Sequence, residues 1–372
     1  MRIALVTPSF LPKVGGAEFI VHHLACEWHK QGHEVCVINA TTGEATHAEG
    51  QYTVRGFKLL RGSTRFGYHR FPWCGVALRQ LDRWMREFEP ELTSAHFGYP
   101  TAIWLARLKP MPKFLCTCHG PELTRFKWGN RSCWNIDRLL ADALNRSAGA
   151  VANSMLSRSL MEEMGIRPDN ILDIKNGVHV DRFQTKVDFD LRAKLGLPRD
   201  CLVILSIGRN HSQKAFDTGI KAFAKVGSKV PEVRYVILGR DTAAWQPLAD
   251  ELGVGSQVVF CEGLHGDELI GAYQQADIFL SPSRWEMMSL VVLEAMASGL
   301  PEVVTDISGS QDVVHTGQNG IVVPPDEPDA MAEALLKLVN DEDLRVRMGT
   351  ESAAQSKQYT WDRIARQYLE HA

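Results

Sequence analysis

Residues 278–301 read IFLSPSRWEMMSLVVLEAMASGLP. The apolar run Ile278–Leu280 stops at Ser281-Pro282. A helix is expected to begin near Ser289, with Leu290, Leu293 and Ala297 at core spacing. A second apolar run, Val303–Thr305, follows Pro301. Continuous apolar runs joined through a helix describe parallel strands covered on both faces. Working outward, Leu202–Ile207, a helix near Thr218–Gly227, Arg234–Leu238, Val258–Phe260 and Gly320–Val323 keep the same rhythm. An earlier series shows it too: Ile3–Val6, a helix over Ala17–Gln31, Glu34–Asn39, Phe114–Cys118, Gly149–Ala152 and Ile171–Ile174. A rhythm that starts twice predicts an α/β chain of two doubly wound parallel-sheet domains. The seam is expected near Arg182–Gly196, which is polar and follows the Asn176-Gly177 turn signal. The expected division is 1–183, 184–357 and a C-terminal amphipathic segment, 358–372.

Length and composition agree with two domains: 372 residues, 45% hydrophobic and 23% charged. The net charge of −3 excludes wholesale electrostatic capture of nucleic acid. That total hides a split, +6 over residues 1–180 against −9 over 181–372. Such a difference hints that the halves meet different ligands. The N-terminal MRIALVTPSF has four apolar residues in a row, too few for a signal-peptide core, and no run reaches a membrane span. The eight cysteines show no CxxC and read as buried free thiols in a reducing compartment. Cys116, Cys118 and His119, in CTCH, allow a partial metal site or an ordinary strand end. No second cluster completes four ligands, so no metal is assigned.

Open α/β sheets bind ligands at the carboxyl ends of their strands, so chemistry is sought there. The loop TPSFLPKVGGAE carries Gly15-Gly16 but no G-x-G-x-x-G, and no P-loop is present, which disfavours a dehydrogenase or a P-loop ATPase. Gly15 and Gly16 read either as a flexible connection or as a close backbone approach to an anion at a helix start. Arg209 and Lys214 leave one strand on one loop and suit a diphosphate, Arg as a fork and Lys as a point charge. The amides of Ser289, Leu290 and Val291 would open the next helix and favour phosphate. Glu294, one turn inside among apolar neighbours, needs hydrogen-bond donors, and a ribose diol supplies two. Glu286 is placed to accept from sugar hydroxyls. Asp306–Asp312, DISGSQD, keeps that edge open with small residues.

The E-x7-E spacing of Glu286 and Glu294, inside SPS-x-x-E…LEAMASGLP, resembles the retaining GT-B glycosyltransferases of family 4. GGAE at 15–18, HG at 119–120, NGV…RF at 176–183, GR…K at 208–214 and ADIFLSPS at 276–283 extend the resemblance over nearly the whole chain. It implies a GT-B fold, two Rossmann-like domains facing across a cleft, with a C-terminal helix returning to the first. It implies Arg209 and Lys214 on the diphosphate, Glu294 on the ribose, Glu286 on the donor sugar, and the Leu290 and Val291 amides on the distal phosphate. Gly16 is implied near the diphosphate and His119 near the donor sugar. The catalytic set is then His119, Glu286, Arg209 and Lys214. Ala215, Met288-Ser289, Glu302 and Gly239-Arg240-Asp241 depart from the family pattern.

The expected reaction moves a hexose-type sugar from a UDP-, GDP- or ADP-sugar, with retention and with no cofactor, to a glycan or lipid-linked acceptor of cell-envelope or exported-polysaccharide synthesis. A sugar-nucleotide epimerase and a non-catalytic nucleotide-sugar-binding protein are the alternatives. The acceptor is expected on the positive first domain. There Lys58, Arg61, Arg65 and Arg70 lie among Phe66, Tyr68, Phe71 and Trp73, with Phe126, Lys127, Trp128 and Arg131 as a second cluster. This pattern suits an anionic membrane surface or an inward-packed loop. The expected location is cytoplasmic, either free or peripheral at the inner face of the plasma membrane. Val76–Phe88 is expected as an amphipathic helix.

Overall fold

The computed structural model describes residues 1–13, 15–40, 45–46, 52–56, 73–120, 122–124 and 135–372. The basic-aromatic residues at 58–72, the cluster Phe126, Lys127, Trp128 and Arg131, and Cys133 lie outside the described residues. The chain forms two compact units, Met1–Asn176 with Trp361–Ala372, and Gly177–Thr360.

The first unit holds β1 (Arg2–Thr7), β2 (Glu34–Asn39), β3 (Ala45–Thr46), β4 (Thr53–Gly56), β5 (Leu92–His96), β6 (Phe114–Thr117), β7 (Gly149–Ala152) and β8 (Ile171–Asp173). Their order in the sheet is β3-β4-β2-β1-β5-β6-β7-β8. All neighbours run parallel except the two-residue β3, which is antiparallel to β4. The second unit holds β9 (Leu202–Ile207), β10 (Val233–Leu238), β11 (Val258–Cys261), β12 (Ile278–Ser281), β13 (Glu302–Thr305) and β14 (Gly320–Val323). That sheet is wholly parallel, in the order β11-β10-β9-β12-β13-β14. The continuous apolar runs have their reason in the two faces of this sheet. Val203, Leu205, Val236, Phe279 and Val304 enter one core, and Ile204, Tyr235, Ile237, Ile278, Leu280 and Val303 enter the other. Each large apolar side chain so buried contributes about 1.5–3 kcal/mol.

Two expectations need correction. The seam falls at Asn176/Gly177, not in 182–196 or at 183/184, because Val178, Val180 and Phe183 bury their side chains in the second core. The second unit also runs on to Thr360 rather than 357: Val178 N–H donates to Tyr359 C=O at 2.7 Å, which ties the unit's two ends together. Within the expected terminal segment 358–372, the helix spans Trp361–Leu369. It belongs to the first unit: Trp28 Nε1 donates to Ala365 C=O at 3.0 Å, and Tyr368 Oη meets Thr117 Oγ1 at 2.7 Å. The expected amphipathic helix is present as Trp73–Phe88, with Ala77, Leu81, Trp84 and Met85 buried. No helix among the described residues is long and apolar enough to cross a membrane.

Candidate active site

In the second sheet β9 has β10 on one side and β12 on the other. Strand order reverses there, and the loops after β9 and β12 open at that point, where α/β sheets bind ligands. Two glycines allow close approach here, Gly208 after β9 and Gly239 after β10. Gly239 has φ +146°, and a Cβ on it would lie 1.9 Å from the Gly208 carbonyl oxygen. A Cβ on Gly208 would lie 2.9 Å from Lys214 Cε. The Lys214 stem therefore lies against Gly208, and its Nζ donates to Glu286 Oε1 at 2.7 Å. The pair is largely shielded, with side chains 17% and 11% exposed. Ser283 Oγ donates to the same carboxylate oxygen at 3.3 Å.

The two loops are stitched together by backbone and side chain. Arg284 N–H donates to Gln213 C=O at 2.8 Å, and Gln213 Nε2 to Trp285 C=O at 2.9 Å. The Arg284 guanidinium reaches Asp217 at 2.8 Å, Asp326 at 2.7 Å and the Ser212 carbonyl at 2.8 Å. Burial pushes the Asp217 carboxyl up, but Arg284 and local amides outweigh it and hold it below its ordinary value. Arg209, on the same loop, is exposed and makes no hydrogen bond or ion pair to a described residue. The expected pair of cations is thus unequal: Lys214 is engaged by a carboxylate, Arg209 is not.

The helix after β12 spans Leu290–Ala297, so Leu290 and Val291 occupy its first turn. Ser289 is its buried N-cap and makes no side-chain capping bond, which leaves first-turn amides open to an anion. The preceding Met287-Met288 backbone lies against Gly309 of the DISGSQD loop. Gly309 has φ +90°, and a Cβ there would sit 2.1 Å from Met287 C=O. One turn into the helix, Glu294 Oε2 accepts from Tyr273 Oη at 2.7 Å. Burial pushes the Glu294 carboxyl up to about 7, with the Tyr273 hydrogen bond and the Lys214 and Arg182 charges pulling the other way. Tyr273 is fully buried between Phe183 and Phe279, so its hydroxyl holds one Glu294 oxygen in place.

In the first unit, Gly16 opens the helix Gly16–Lys30 with Gly15 as N-cap. A Cβ on Gly15 would come 2.5 Å from Glu18 Oε2, so this carboxylate lies against the Gly15 backbone. Glu18 is buried in that first turn, accepts from Ser9 Oγ at 2.6 Å and pairs with Lys13 at 3.6 Å. A carboxylate of the protein itself thus lies at this helix start. His119 follows β6. Its Nε2 lies 3.0 Å from His96 Nδ1, with the rings stacked at 5.3 Å. Glu122 Oε1 accepts from the His119 and Gly98 amides at 2.8 and 3.1 Å. Burial pushes His119 down to about 3, and burial with the neighbouring imidazole lowers His96. Cys116 and Cys118 are fully buried thiols, and no cluster of three or more metal-ligating side chains occurs among the described residues.

Within the second unit, Lys214 and Glu286 come together directly, and Lys214 lies close enough to Glu294 to affect its charge. Tyr273, Arg284, His96 and Glu122 were not singled out by sequence reasoning. Tyr273 sits at core spacing in GAYQQADIFL and reads as packing. His96 ends TSAH, whose polar residues hide a buried strand.

Residues 187–355 match the family described as glycosyl transferases group 1, and residues 14–182 match glycosyltransferase family 4. The D-inositol 3-phosphate glycosyltransferase of Corynebacterium urealyticum is 34% identical over 188 residues, 48% of this chain and 44% of the relative. That match spans under half the length of the relative. The phosphatidyl-myo-inositol mannosyltransferase of Mycobacterium tuberculosis is 26% identical over 99% of this chain and 96% of its own. The structure of Anabaena HepE in complex with UDP-glucose matches with a TM-score of 0.79 at 19% identity, covering 100% of this chain and 98% of that one. Two parallel-sheet units of this order, with both family matches laid end to end along the sequence, place the chain in the group 1 / family 4 glycosyltransferases of GT-B fold.

Proposed function

We propose that this protein is a retaining hexosyltransferase that takes its sugar from a nucleoside-diphosphate sugar and passes it to a glycan or lipid-linked acceptor in cell-envelope or polysaccharide synthesis. The observation that carries the donor half is the set of groups at the strand-order reversal of the second unit. Lys214 and Glu286 are paired, Glu294 is fixed by Tyr273, and an uncapped helix start lies between the two glutamates. The leaving group is a nucleoside diphosphate, and its developing charge is the main barrier. Lys214, Arg209 and the Leu290 and Val291 amides stabilise that charge. Glu294 accepts from the ribose hydroxyls with the oxygen that Tyr273 leaves available. Glu286 accepts from sugar hydroxyls, and the arriving diphosphate competes with it for Lys214. Gly15, Gly16 and His119 are the donor contacts assigned to the first unit. The diphosphate itself takes the acceptor proton, so the reading calls on no metal and no cofactor.

The acceptor reading rests on the positive half of the chain and on the relatives, two of which act on inositol-containing substrates by name. Thermal-shift screening with UDP-, GDP- and ADP-sugars tests the donor directly, because a bound donor raises the melting temperature by mass action. Lys214→Ala is expected to lower turnover about 100-fold. Wild-type turnover in that variant, or no shift with any nucleotide sugar, overturns the reading. Co-sedimentation with anionic vesicles at low salt tests the membrane contact.

A further inference from the structure

Ser94, His96 and His119 form a chain whose geometry sets where the protons sit. Ser94 Oγ lies 3.2 Å from His96 Nε2, and His96 Nδ1 lies 3.0 Å from His119 Nε2. Ser94 and His96 are completely buried, and the Ser94 hydroxyl meets no other described polar group. Both imidazoles are neutral near pH 7, since burial disfavours their charged forms. Each neutral ring carries one proton, so two arrangements exist. In one, His119 Nε2–H donates to His96 and His96 Nε2–H donates to Ser94. That leaves the Ser94 hydroxyl proton buried with no acceptor, which is unfavourable. In the other, Ser94 donates to His96 Nε2, and His96 Nδ1–H donates to His119 Nε2. Every proton between Ser94 and His119 then has an acceptor, and the one left over, on Nδ1, lies on the partly exposed His119 ring.

We infer that Ser94 and His96 lock His119 as its Nδ1–H tautomer, so that His119 offers a ligand a hydrogen-bond donor and not a base. His119 Nδ1 meets no described partner, and Phe97 packs on the ring at 4.8 Å, which with the stacked His96 ring fixes its plane. Ser94 and His96 are positioning residues, while His119 alone touches substrate. The ligand atom is an oxygen acceptor, a sugar hydroxyl or the oxygen on which charge develops. This last point rests on the proposed glycosyl transfer, whereas the tautomer does not.

Imidazole nitrogen NMR on protein labelled at histidine reads the tautomer without any substrate. The wild type is expected to show a protonated Nδ1 and a bare Nε2 at His119, unchanged from pH 5 to 8. Ser94→Ala is expected to mix the two tautomers, since neither arrangement then satisfies His96 Nε2. An Nε2–H tautomer in the wild type, or no change in Ser94→Ala, overturns the inference. Kinetics give a second readout. His96→Leu is expected to lower kcat about tenfold while donor KM stays within about twofold, a loss of roughly one well-placed hydrogen bond. His96→Asn, whose amide can donate to His119 Nε2, restores most of it. Equal losses in the Leu and Asn variants reduce His96 to packing and overturn its role. Absence of any turnover in the wild type defeats the proposed function, and the NMR result still decides the tautomer.

Discussion

Glu302 is a carboxyl in the middle of a parallel sheet, paired in register with Phe279 on one side and Gly320 on the other. It is fully buried, and neither of its oxygens has a hydrogen-bond partner among the described residues. Burial raises its pKa well above the ordinary value, and Glu294 is raised to about 7 for the same first reason. The sign for stability follows. An acid with a raised folded value holds its proton in the native state where the unfolded chain has lost it. Stability is then greatest below the unfolded value and falls as pH rises toward the folded one, by at most about 1.4 kcal/mol per unit per group. Below about pH 6.5 the buried neutral His96 and His119 act with the opposite sign, so the decrease is expected in urea titrations from pH 7 to 8. Glu302→Met is expected to flatten that slope and to be more stable than the wild type at pH 8. A slope unchanged in Glu302→Met contradicts this account. In the sequence Glu302 was visible only as an odd charge after Pro301; its burial comes from both neighbouring strands and the cores above and below.

At the scale of elements, the loop after β9 shows how a departure from the family pattern is accommodated. Ala215 follows Lys214 and has φ +47°, in the left-handed region that L residues other than glycine enter at a cost. It is 1% exposed, so the small side chain fits although the backbone is strained. Ala215→Gly is expected to raise stability by about 1 kcal/mol, relief of that strain exceeding the entropy lost by glycine in the unfolded chain. Differential scanning calorimetry reads this, and a lower melting temperature in Ala215→Gly counts against it. The helix after it and its flanking strands were legible in sequence because their apolar residues run continuously. β5 was not, because Thr93, Ser94 and His96 carry polar atoms into a fully buried strand. Period and hydropathy register how apolar a segment is, not whether neighbours satisfy its polar groups.

At the scale of the molecule, the chain ends in the unit in which it began. The helix Trp361–Leu369 buries Trp361, Ile364 and Tyr368, and Tyr368 reaches Thr117 at the end of β6, two residues before His119. Tyr368→Ala removes a fully buried ring and its hydrogen bond, and is expected to destabilise the first unit by about 3 kcal/mol or more. Amide hydrogen exchange is expected to show the loss in Met1–Asn176 and not in Gly177–Thr360; equal loss in both units contradicts that assignment. The sequence by itself determined the two Rossmann-like units, nearly every strand carrying a loop of interest, and the family. These are statements about local pattern and ordered motifs, and both are written along the chain. Only the tertiary structure decided that Lys214 is held by Glu286, that Tyr273 fixes Glu294, that His96 and Ser94 stand behind His119, and that residues 177–183 belong to the second unit. Each depends on which side chains meet across strands distant in sequence, where distance, burial and hydrogen bonding together set charge and proton position.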